Sequence, residues 1–351
     1  MPSIPSSPDR RETLVAGPAD ANGGTMTGIP VIDISPYLQG SPEGGREVAN
    51  QINKACEEIG FFIIVGHGVD QPSVDRTYRT AADFFQSPVE DKLRIRQPDP
   101  SISRGYTPLK GESLSAGLGM GAPGDLKEMI DMGPVDIPGG EYYERPEAGH
   151  HFHPNLWPER PEGFEQTMKS YYRRMNRLAN DLMGLFALAL DLPEDFFYDK
   201  LDRNMSALRI ICYPEQAEAP EPGQLRSGAH TDYGTLTILM SDQAAGGLQA
   251  RHRDGYWVDV TPQPGSYVVN IGDVMQIWTN DRWVSTLHRV VNPPAELAST
   301  ARRHSVVFFH QPNYDAVIET LPSCFGPSEP RKYDSFTYAE HWTRKWMATK
   351  A

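Results

Sequence analysis

Cysteine is scarce in this sequence. The chain has 351 residues and three cysteines, Cys56, Cys212 and Cys324, which are widely separated and never form a C-x-x-C pair. An odd number of distant cysteines argues against both a disulfide framework and a zinc knuckle. The cysteine usage therefore favours a reducing compartment.

Long apolar runs and blocks of basic residues are also missing. No apolar run approaches the roughly 20 residues that span a bilayer, and no apolar segment follows the first charges. The 33 Lys and Arg against 46 Asp and Glu give a formal net charge of -13, with no basic stripe to follow a phosphate backbone. We expect a cytoplasmic monomer or weak homo-oligomer that binds neither nucleic acid nor membranes.

What the chain does contain is enough apolar sequence, 39% of residues, for a sizeable core. Residues 1–27 mix Pro, Ser, Gly and charge without periodicity, which predicts a disordered tail. Apolar residues at helical spacing predict helices over about 45–59, 71–85 and 162–190, and a short one in "YAEHWTRKWM".

After Pro193 the pattern changes to short apolar runs separated by turns, among them "ALRIICYP", "TLTILMSD", "VMQIWTND" and "RRHSVVFFHQP". "RHRDGYWVDV" carries Asp254-Gly255 between two such runs, which is a hairpin signal. Runs of this kind indicate an antiparallel sandwich or barrel.

One of these runs, "GAHTDYGTLTI", carries polar residues at its start. In a strand, residues two apart share a face, so His230 and Asp232 present an imidazole and a carboxylate together. His288 in "STLHRVVNP" offers a third ligand. Two histidines and one carboxylate form the facial triad of non-haem Fe(II) oxygenases. Each histidine alone is also compatible with a hydrogen-bonded core residue, so further evidence is needed.

That evidence comes from "RRHSVVFF", where Arg303 and Ser305 again stand two residues apart on one strand. The planar guanidinium of arginine grips a carboxylate through two hydrogen bonds, and a serine hydroxyl can donate another. Tyr213 in "RIICYPE" is a candidate third donor from a neighbouring strand. The pattern predicts a clamp for an anionic ligand.

With these motifs the chain resembles the isopenicillin N synthase-like Fe(II)/2-oxoglutarate-dependent dioxygenases. The resemblance rests on "HTDYGTLTIL", "VVNIGDVMQIWTNDRWVSTLHRV" and "RRHSVVFFHQPN", and on "IPVIDIS", "ACEEIGFFIIVGHGV" and "DLKEMIDMG" in the N-terminal half. It covers the chain from Ile29 onward. It implies a mostly β fold with flanking helices around a double-stranded β-helix, or jelly roll. Residues 28–200 would be the N-terminal region, 201–315 the catalytic core and 316–351 a C-terminal helical segment.

The resemblance also implies the ligands and cosubstrates. His230, Asp232 and His288 would hold Fe(II), while Arg303, Ser305 and Tyr213 would bind the distal carboxylate of 2-oxoglutarate, with O2 as the second cosubstrate. The sequence departs from the family at Ile211, where the Asn-x-Tyr motif has asparagine. Arg302 is a rival to Arg303, which is preferred because only Arg303 has a serine two residues on.

The implied activity is oxidation of an unactivated C–H bond of a small-molecule metabolite, by hydroxylation or by desaturation or cyclisation, with release of succinate and CO2. No side-chain general base is required. The alternative is an oxidase of the same fold that uses no 2-oxoglutarate, since isopenicillin N synthase clamps its substrate in a similar way. A zinc hydrolase and a non-catalytic binding module are weaker alternatives, because neither predicts the clamp.

Substrate contacts are expected from the N-terminal region and the end of the core. The candidates are Arg104, Tyr106, Phe308 and His310, together with the "SAGLGMGAPG" loop over 115–124. We expect His150, His151 and His153 of "HHFHP" to lie in a surface loop rather than in a second metal site, and His67 to make a structural hydrogen bond at a strand end.

Overall fold

The computed structural model describes residues 28–119, 123–149, 151–242 and 244–349. The tail predicted over 1–27 lies outside this range. Within the described ranges, no helix is both long enough and apolar enough to cross a membrane.

Two β-sheets form the centre of the molecule. The larger has eight strands: β1 Val31–Asp33, β2 Phe61–Val65, β3 Gly105–Thr107, β4 Glu128–Met132, β5 Ala207–Tyr213, β7 Leu236–Ser241, β10 Tyr267–Ile271 and β12 Arg303–His310. The smaller has four: β6 Ser227–His230, β8 Leu248–Arg251, β9 Trp257–Val260 and β11 His288–Val290. Their spatial orders are β1-β2-β10-β7-β12-β5-β4-β3 and β6-β11-β8-β9. A further hairpin pairs β13 Val317–Ile318 with β14 Phe336–Thr337.

Side-chain alternation along the strands builds two apolar layers. Residues that face the space between the sheets include Ile63, Val268 and Val307. Residues on the opposite face of the larger sheet, such as Val306 and Ile210, pack against the helices. The arrangement is the predicted jelly roll with flanking helices.

The helices cover the outer face of the larger sheet and one end of the sandwich. Their bounds are α1 Ser35–Leu38, α2 Pro42–Glu58, α3 Gln71–Gln86, α4 Val89–Leu93, α5 Glu141–Glu144, α6 Phe164–Ala189, α7 Tyr198–Leu201, α8 Asp273–Trp278 and α9 Tyr338–Ala348. The buried stripe of α6 includes Met168, Met175 and Leu182. The predicted helices over 45–59, 71–85, 162–190 and in "YAEHWTRKWM" are confirmed.

The hairpin around Asp254-Gly255 is confirmed, because β8 and β9 pair antiparallel. The interpretation of "VMQIWTND" as a strand is wrong. Its apolar residues Val274, Ile277 and Trp278 stand three and four apart and are buried on one side of α8. A run this short does not separate helix from strand by periodicity alone.

The predicted N-terminal region, 28–200, and the predicted core, 201–315, share one sheet. Strands β1 and β2 continue it at one edge and β3 and β4 at the other, and β10 and β5 are their neighbours in the core. Strand β2 pairs with β10, and β4 pairs with β5. The N-terminal region therefore contributes side chains directly to the walls between the sheets.

Candidate active site

Three possible metal ligands converge at one end of the sandwich. His230 ends β6 and pairs in register with His288, which begins β11. The Nε2 atoms of His230 and His288 lie 3.9 and 3.8 Å from Oδ1 of Asp232. One ligand atom from each of the three residues lies within 4.8 Å of the others. In the described part of the chain, no other group of three His, Cys, Asp or Glu side chains has this spacing.

The second nitrogen of each imidazole is already occupied. Nδ1 of His230 lies 2.8 Å from the Gly228 carbonyl oxygen, and Nδ1 of His288 lies 3.0 Å from that of Thr286. Because a carbonyl can only accept, each Nδ1 carries the proton and each Nε2 keeps its lone pair. Burial and the neighbouring His288 lower the pKa of His230 to about 3, so this ring stays neutral, the form that ligates a metal.

Neutral donors orient the carboxylate of Asp232. Its Oδ2 accepts from the Thr237 hydroxyl at 2.6 Å and from the Asn270 amide at 2.7 Å. Burial opposes ionisation, but His288, His230 and these two hydrogen bonds together hold the pKa of Asp232 below its usual value. Oδ1 is thus an ionised oxygen beside the two Nε2 atoms, and the donor set fits the two-histidine, one-carboxylate pattern of Fe(II).

Two glycines fix the backbone that carries Asp232. A Cβ on Gly234 would clash with the His310 carbonyl oxygen, and one on Gly272 would clash with that of Gly234. The Asp273 amide also donates to the Asp232 carbonyl at 2.8 Å. Strand β6 ends at His230. A packed turn, rather than the strand alternation used in the prediction, therefore brings Asp232 beside His230.

Arg303 and Ser305 point from β12 into the space between the sheets. Nη1 of Arg303 donates to the Ser305 hydroxyl at 2.8 Å. Arg303 pairs in register with Tyr213 of β5, and its guanidinium carbon lies 5.2 Å from the centre of the Tyr213 ring. Among the described residues, no carboxylate forms an ion pair with Arg303, which leaves this buried cation available to an anion.

A cavity touches both groups, and we call it the clamp cavity. Its lining includes Tyr213, Arg303 and Ser305 as well as the three possible ligands and apolar side chains such as Ile211. Arg302 is not in this wall. It forms a two-pronged ion pair with Glu215 at distances of 2.8 to 3.1 Å. The structure therefore favours Arg303 over its rival.

A second cavity lies against His230 and Asp232, and we call it the aromatic cavity. Four aromatic side chains line it: Tyr233, Phe309, Trp342 and Trp346. The rings of Trp342 and Trp346 are stacked with centroids 5.2 Å apart. The C-terminal helix α9 thus forms one wall of this cavity.

Charged side chains also line the aromatic cavity. Arg209 donates from Nε to Oδ1 of Asp131 at 2.7 Å and from Nη2 to Oδ2 at 3.1 Å. Its Nη1 lies 3.4 Å from Oε2 of Glu112. The same oxygen lies 3.0 Å from Nζ of Lys127. Lys127 also pairs with Asp125 at 2.9 Å. Three acids and two cations, all buried, therefore form one connected network.

Two of the predicted substrate residues face the wrong way. Strand alternation places Val307 and Phe309 on the same face as Arg303 and Ser305, and Phe309 lines both cavities. Phe308 instead packs edge-on against Tyr172 of α6, with ring centroids 5.1 Å apart. His310 is fully buried on the same outer face and contacts the Thr235 hydroxyl at 2.8 Å. Phe308 and His310 therefore line neither cavity, and the prediction for these two residues is corrected.

The other two substrate candidates have structural partners. The Tyr106 hydroxyl donates to Glu128 at 2.6 Å, and its ring belongs to the core between sheet and helices, so it is not part of the aromatic cavity. Arg104 does line that cavity, but its guanidinium donates to the backbone carbonyls of Ser103, His151 and His153. Burial lowers the pKa of Arg104 to about 10.

The remaining histidine predictions have mixed outcomes. His67 bonds the Gly265 carbonyl at 3.0 Å just after β2, as expected. His151 is buried in the wall of the aromatic cavity, edge-on to Trp342, so the surface loop expected there is wrong at this residue. His150 lies outside the described residues. Glu112 and Leu114, which precede the loop over 115–124, line the cavity, but none of the described residues of that loop does.

Several cavity residues escaped the sequence analysis although a signal existed for them. Arg209 stands four residues before Tyr213 on β5 and hence on the same face. Asn270 is a polar residue within the buried run "YVVNI". Trp342 and Trp346 are four apart in the C-terminal helix. Asp131 and Lys127 had no such signal, because only the pairing of β4 with β5 brings Asp131 opposite Arg209.

Comparison with known families agrees with this geometry. Residues 29–160 match the model of the N-terminal region of non-haem dioxygenases in morphine synthesis, and residues 204–312 match that of the 2OG-Fe(II) oxygenase superfamily. A homoarginine-6-hydroxylase of Oryza sativa is 34% identical over 92% of this chain and 98% of its own length. A 2-oxoglutarate-Fe(II) type oxidoreductase of Emericella nidulans is also 34% identical, over 89% of this chain and 87% of its own.

Solved structures give the same result. A full-length Neurospora crassa protein in complex with alpha-KG superposes with a TM-score of 0.80 and 31% identity, over 92% of this chain and 96% of that one. The rice dioxygenase for auxin oxidation has a TM-score of 0.67 at 27% identity, over 89% and 93% of the two chains. The matched segments span both the N-terminal region and the jelly roll. This chain therefore belongs to the 2OG-Fe(II) oxygenase superfamily and is an Fe(II)- and 2-oxoglutarate-dependent oxidoreductase.

Proposed function

We propose that His230, Asp232 and His288 hold the iron of a small-molecule hydroxylase. The observation that carries this assignment is the state of the donor atoms. Nδ1 of both histidines and Oδ2 of Asp232 are engaged by protein partners, so the two Nε2 atoms and Oδ1 remain for one shared ion. Partners of this kind fix the orientation of metal ligands in proteins.

Arg303, Ser305 and Tyr213 are proposed to bind the distal carboxylate of 2-oxoglutarate. The unpaired guanidinium of Arg303 offers a planar pair of donors that matches a carboxylate, and the Ser305 hydroxyl lies beside it. Apolar side chains such as Ile211, Leu239 and Val290 also line the clamp cavity, beside polar ones. Iron and 2-oxoglutarate, when bound, supply the oxidising chemistry with O2. The protein supplies the positions of these groups.

The aromatic cavity is proposed as the substrate site, because it shares His230 and Asp232 with the metal site. Its tryptophans and Phe309 offer flat apolar surfaces, while Arg209, Asp131 and Glu112 offer both hydrogen-bond donors and acceptors. A small, polar, nitrogen-containing metabolite fits this mixture. Relatives support the size and polarity, since one is named a homoarginine-6-hydroxylase and the Neurospora crassa protein is described in complex with thymine. Hydroxylation is the proposed outcome.

Succinate release tests this function. The protein with Fe(II), 2-oxoglutarate and O2 should release succinate when it is supplied with small nitrogen-containing substrates, screened as amino acids, guanidino acids, pyrimidines and pyridines. Without oxygen, the Fe(II) protein should develop a weak visible charge-transfer band when 2-oxoglutarate is added. If neither the band nor succinate appears, the 2-oxoglutarate-independent oxidase becomes the better assignment.

Asp232→Ala tests the ligand set. We expect Fe(II) binding and turnover to be lost, because two neutral imidazoles alone hold Fe(II) weakly. Asp254→Ala is the matched control, since Asp254 lies in the exposed hairpin with its side chain 71% accessible. Normal iron content and turnover in Asp232→Ala would refute the triad.

Three expectations stay predictions from composition. They are cytoplasmic location, the lack of nucleic-acid and membrane partners, and weak or absent self-association.

A further inference from the structure

A second arginine lies beside the clamp and has no role in the assignments above. Arg226 immediately precedes β6, and its side chain is fully buried. Its guanidinium carbon lies 6.0 Å from the centre of the Tyr213 ring, to which Arg303 approaches within 5.2 Å. Two buried guanidinium groups thus share one tyrosine.

The hydrogen bonds of Arg226 go to backbone carbonyls only. Nη1 donates to Ala245 at 2.6 Å and to Gly246 at 3.3 Å, Nη2 donates to Ala301, and Nε has no hydrogen-bond partner. Ala245 and Gly246 follow β7, and Ala301 lies two residues before Arg303. The side chain therefore ties together two loops that flank the clamp.

These contacts leave the charge of Arg226 without an ionic partner. Across the described ranges, neither Arg226 nor Arg303 forms an ion pair with a carboxylate. Asp242 lies close enough to offset part of the charge, but its Oδ2 already accepts from the Tyr78 hydroxyl and the His304 amide. Burial and the nearby Arg303 lower the pKa of Arg226.

Two like charges buried together are unfavourable unless an anion compensates them. The backbone carbonyls stabilise one guanidinium by hydrogen bonding, but they do not neutralise it. A carboxylate at the Arg303–Ser305 pair would be attracted by both arginines, although it would touch only one. This attraction exists for a dianionic 2-oxo acid and not for one that lacks the distal carboxylate.

We infer that Arg226 is a selectivity-determining residue. It is a second cation beside Arg303 and Tyr213 that attracts the distal carboxylate without touching it, and so favours 2-oxoglutarate over monoanionic 2-oxo acids. The inference rests on the proposed function, since it presumes that 2-oxoglutarate occupies the clamp. A purely structural role, in which Arg226 only holds the two loops, is the competing explanation.

Calorimetric measurement of ligand affinity, on the Fe(II)-loaded protein under argon, separates the selectivity role of Arg226 from a purely structural role. The ligands are 2-oxoglutarate and 2-oxopentanoate, which has a methyl group in place of the distal carboxylate. The variants are Arg226→Gln, which removes the charge, and Arg226→Lys, which keeps it but loses the planar fork. Arg302→Gln is the control, because Arg302 is a neighbouring arginine that is already neutralised by Glu215.

We expect Arg226→Gln to weaken 2-oxoglutarate about tenfold and to leave 2-oxopentanoate unchanged, since an uncompensated charge several ångströms away acts only on another charge. Arg226→Lys and Arg302→Gln should keep the wild-type ratio of the two affinities within about threefold. Equal weakening of both ligands in Arg226→Gln, or no weakening of either, would overturn the inference.

If Arg226→Gln does not fold, as judged by near-ultraviolet circular dichroism, Arg226→Lys decides alone. A fall in the ratio of the two affinities, or equal weakening of both ligands, contradicts a charge effect, whereas wild-type affinity for both ligands supports it. If the wild-type protein itself binds no 2-oxoglutarate, the proposed function fails, and that outcome is distinct from a wild type that binds normally beside an unaffected Arg226→Gln.

Discussion

Two buried arginines on adjacent strands are in opposite electrostatic states. Arg209 of β5 is matched by Asp131 and Glu112, whereas Arg303 of β12 has no carboxylate partner among the described residues. Both point into the space between the sheets, and Arg209 lines both cavities. The contrast indicates a division of labour. Under the proposed function, the clamp cavity would bind an anion, while the aromatic cavity, where Arg209 is paired with acids, would take a polar substrate.

The largest expected effect comes from removing Arg209, the arginine that is paired with acids. Arg209→Met would leave the carboxylate of Asp131 buried without a cation, which typically costs about 3–5 kcal/mol of unfolding free energy. Urea denaturation measures it. Arg173→Met is the matched control, because the two-pronged pair of Arg173 with Asp136 is exposed and should contribute at most about 1 kcal/mol.

The double variant Arg209→Met with Asp131→Leu sharpens the same test. Removing both charges should restore most of the stability, since a buried pair adds little net stability over apolar residues. Turnover should stay low if Arg209 and Asp131 contact substrate. Recovery of both stability and turnover would limit the pair to a structural role.

The next largest effect concerns Arg303, the arginine that has no carboxylate partner among the described residues. Arg303→Gln removes a charged hydrogen-bond donor and should weaken 2-oxoglutarate by about 2–3 kcal/mol, or roughly 30- to 150-fold. Fe(II) affinity should not change. Titration of the anaerobic charge-transfer band measures the affinity for 2-oxoglutarate. Chelator competition measures the affinity for Fe(II). Arg302→Gln should match the wild type, and a larger loss in that variant than in Arg303→Gln would reverse the choice between them.

The smallest expected effect concerns the neutral hydrogen-bond donors that orient the carboxylate of Asp232. Asn270→Ala removes one of the two hydrogen bonds to Oδ2 of Asp232 and should weaken metal binding about tenfold. Chelator competition with Fe(II) is the measurement. Asn292→Ala, which loses an amide outside both cavities, is the control. If the two variants bind metal equally well, the Asn270 amide does not orient the ligand.

Local sequence patterns were sufficient where the relevant side chains lie close together on one element. The i, i+2 pair Arg303 and Ser305 lies on one strand face as predicted, and the long helix α6 follows its apolar periodicity. Prediction was wrong where the correct face had to be chosen. Phe308 was selected although Phe309 shares the face of Arg303, and strand alternation would have corrected the choice.

Other features needed contacts between distant segments. The segment "VMQIWTND" is a helix because Val274, Ile277 and Trp278 find apolar partners on one side, which a short run does not reveal. Asp131 and Arg209 are 78 residues apart and meet only through the register of β4 with β5.

The sequence by itself determined the chemistry of this protein. It supplied the two histidines and the aspartate that converge at one site, and the arginine and serine that share one face of β12. The tertiary structure decided which charges are neutralised. Whether a buried arginine is free to bind a ligand depends on which acids the neighbouring strands and loops bring within about 4 Å, and that distance is set by register and packing across the whole sheet.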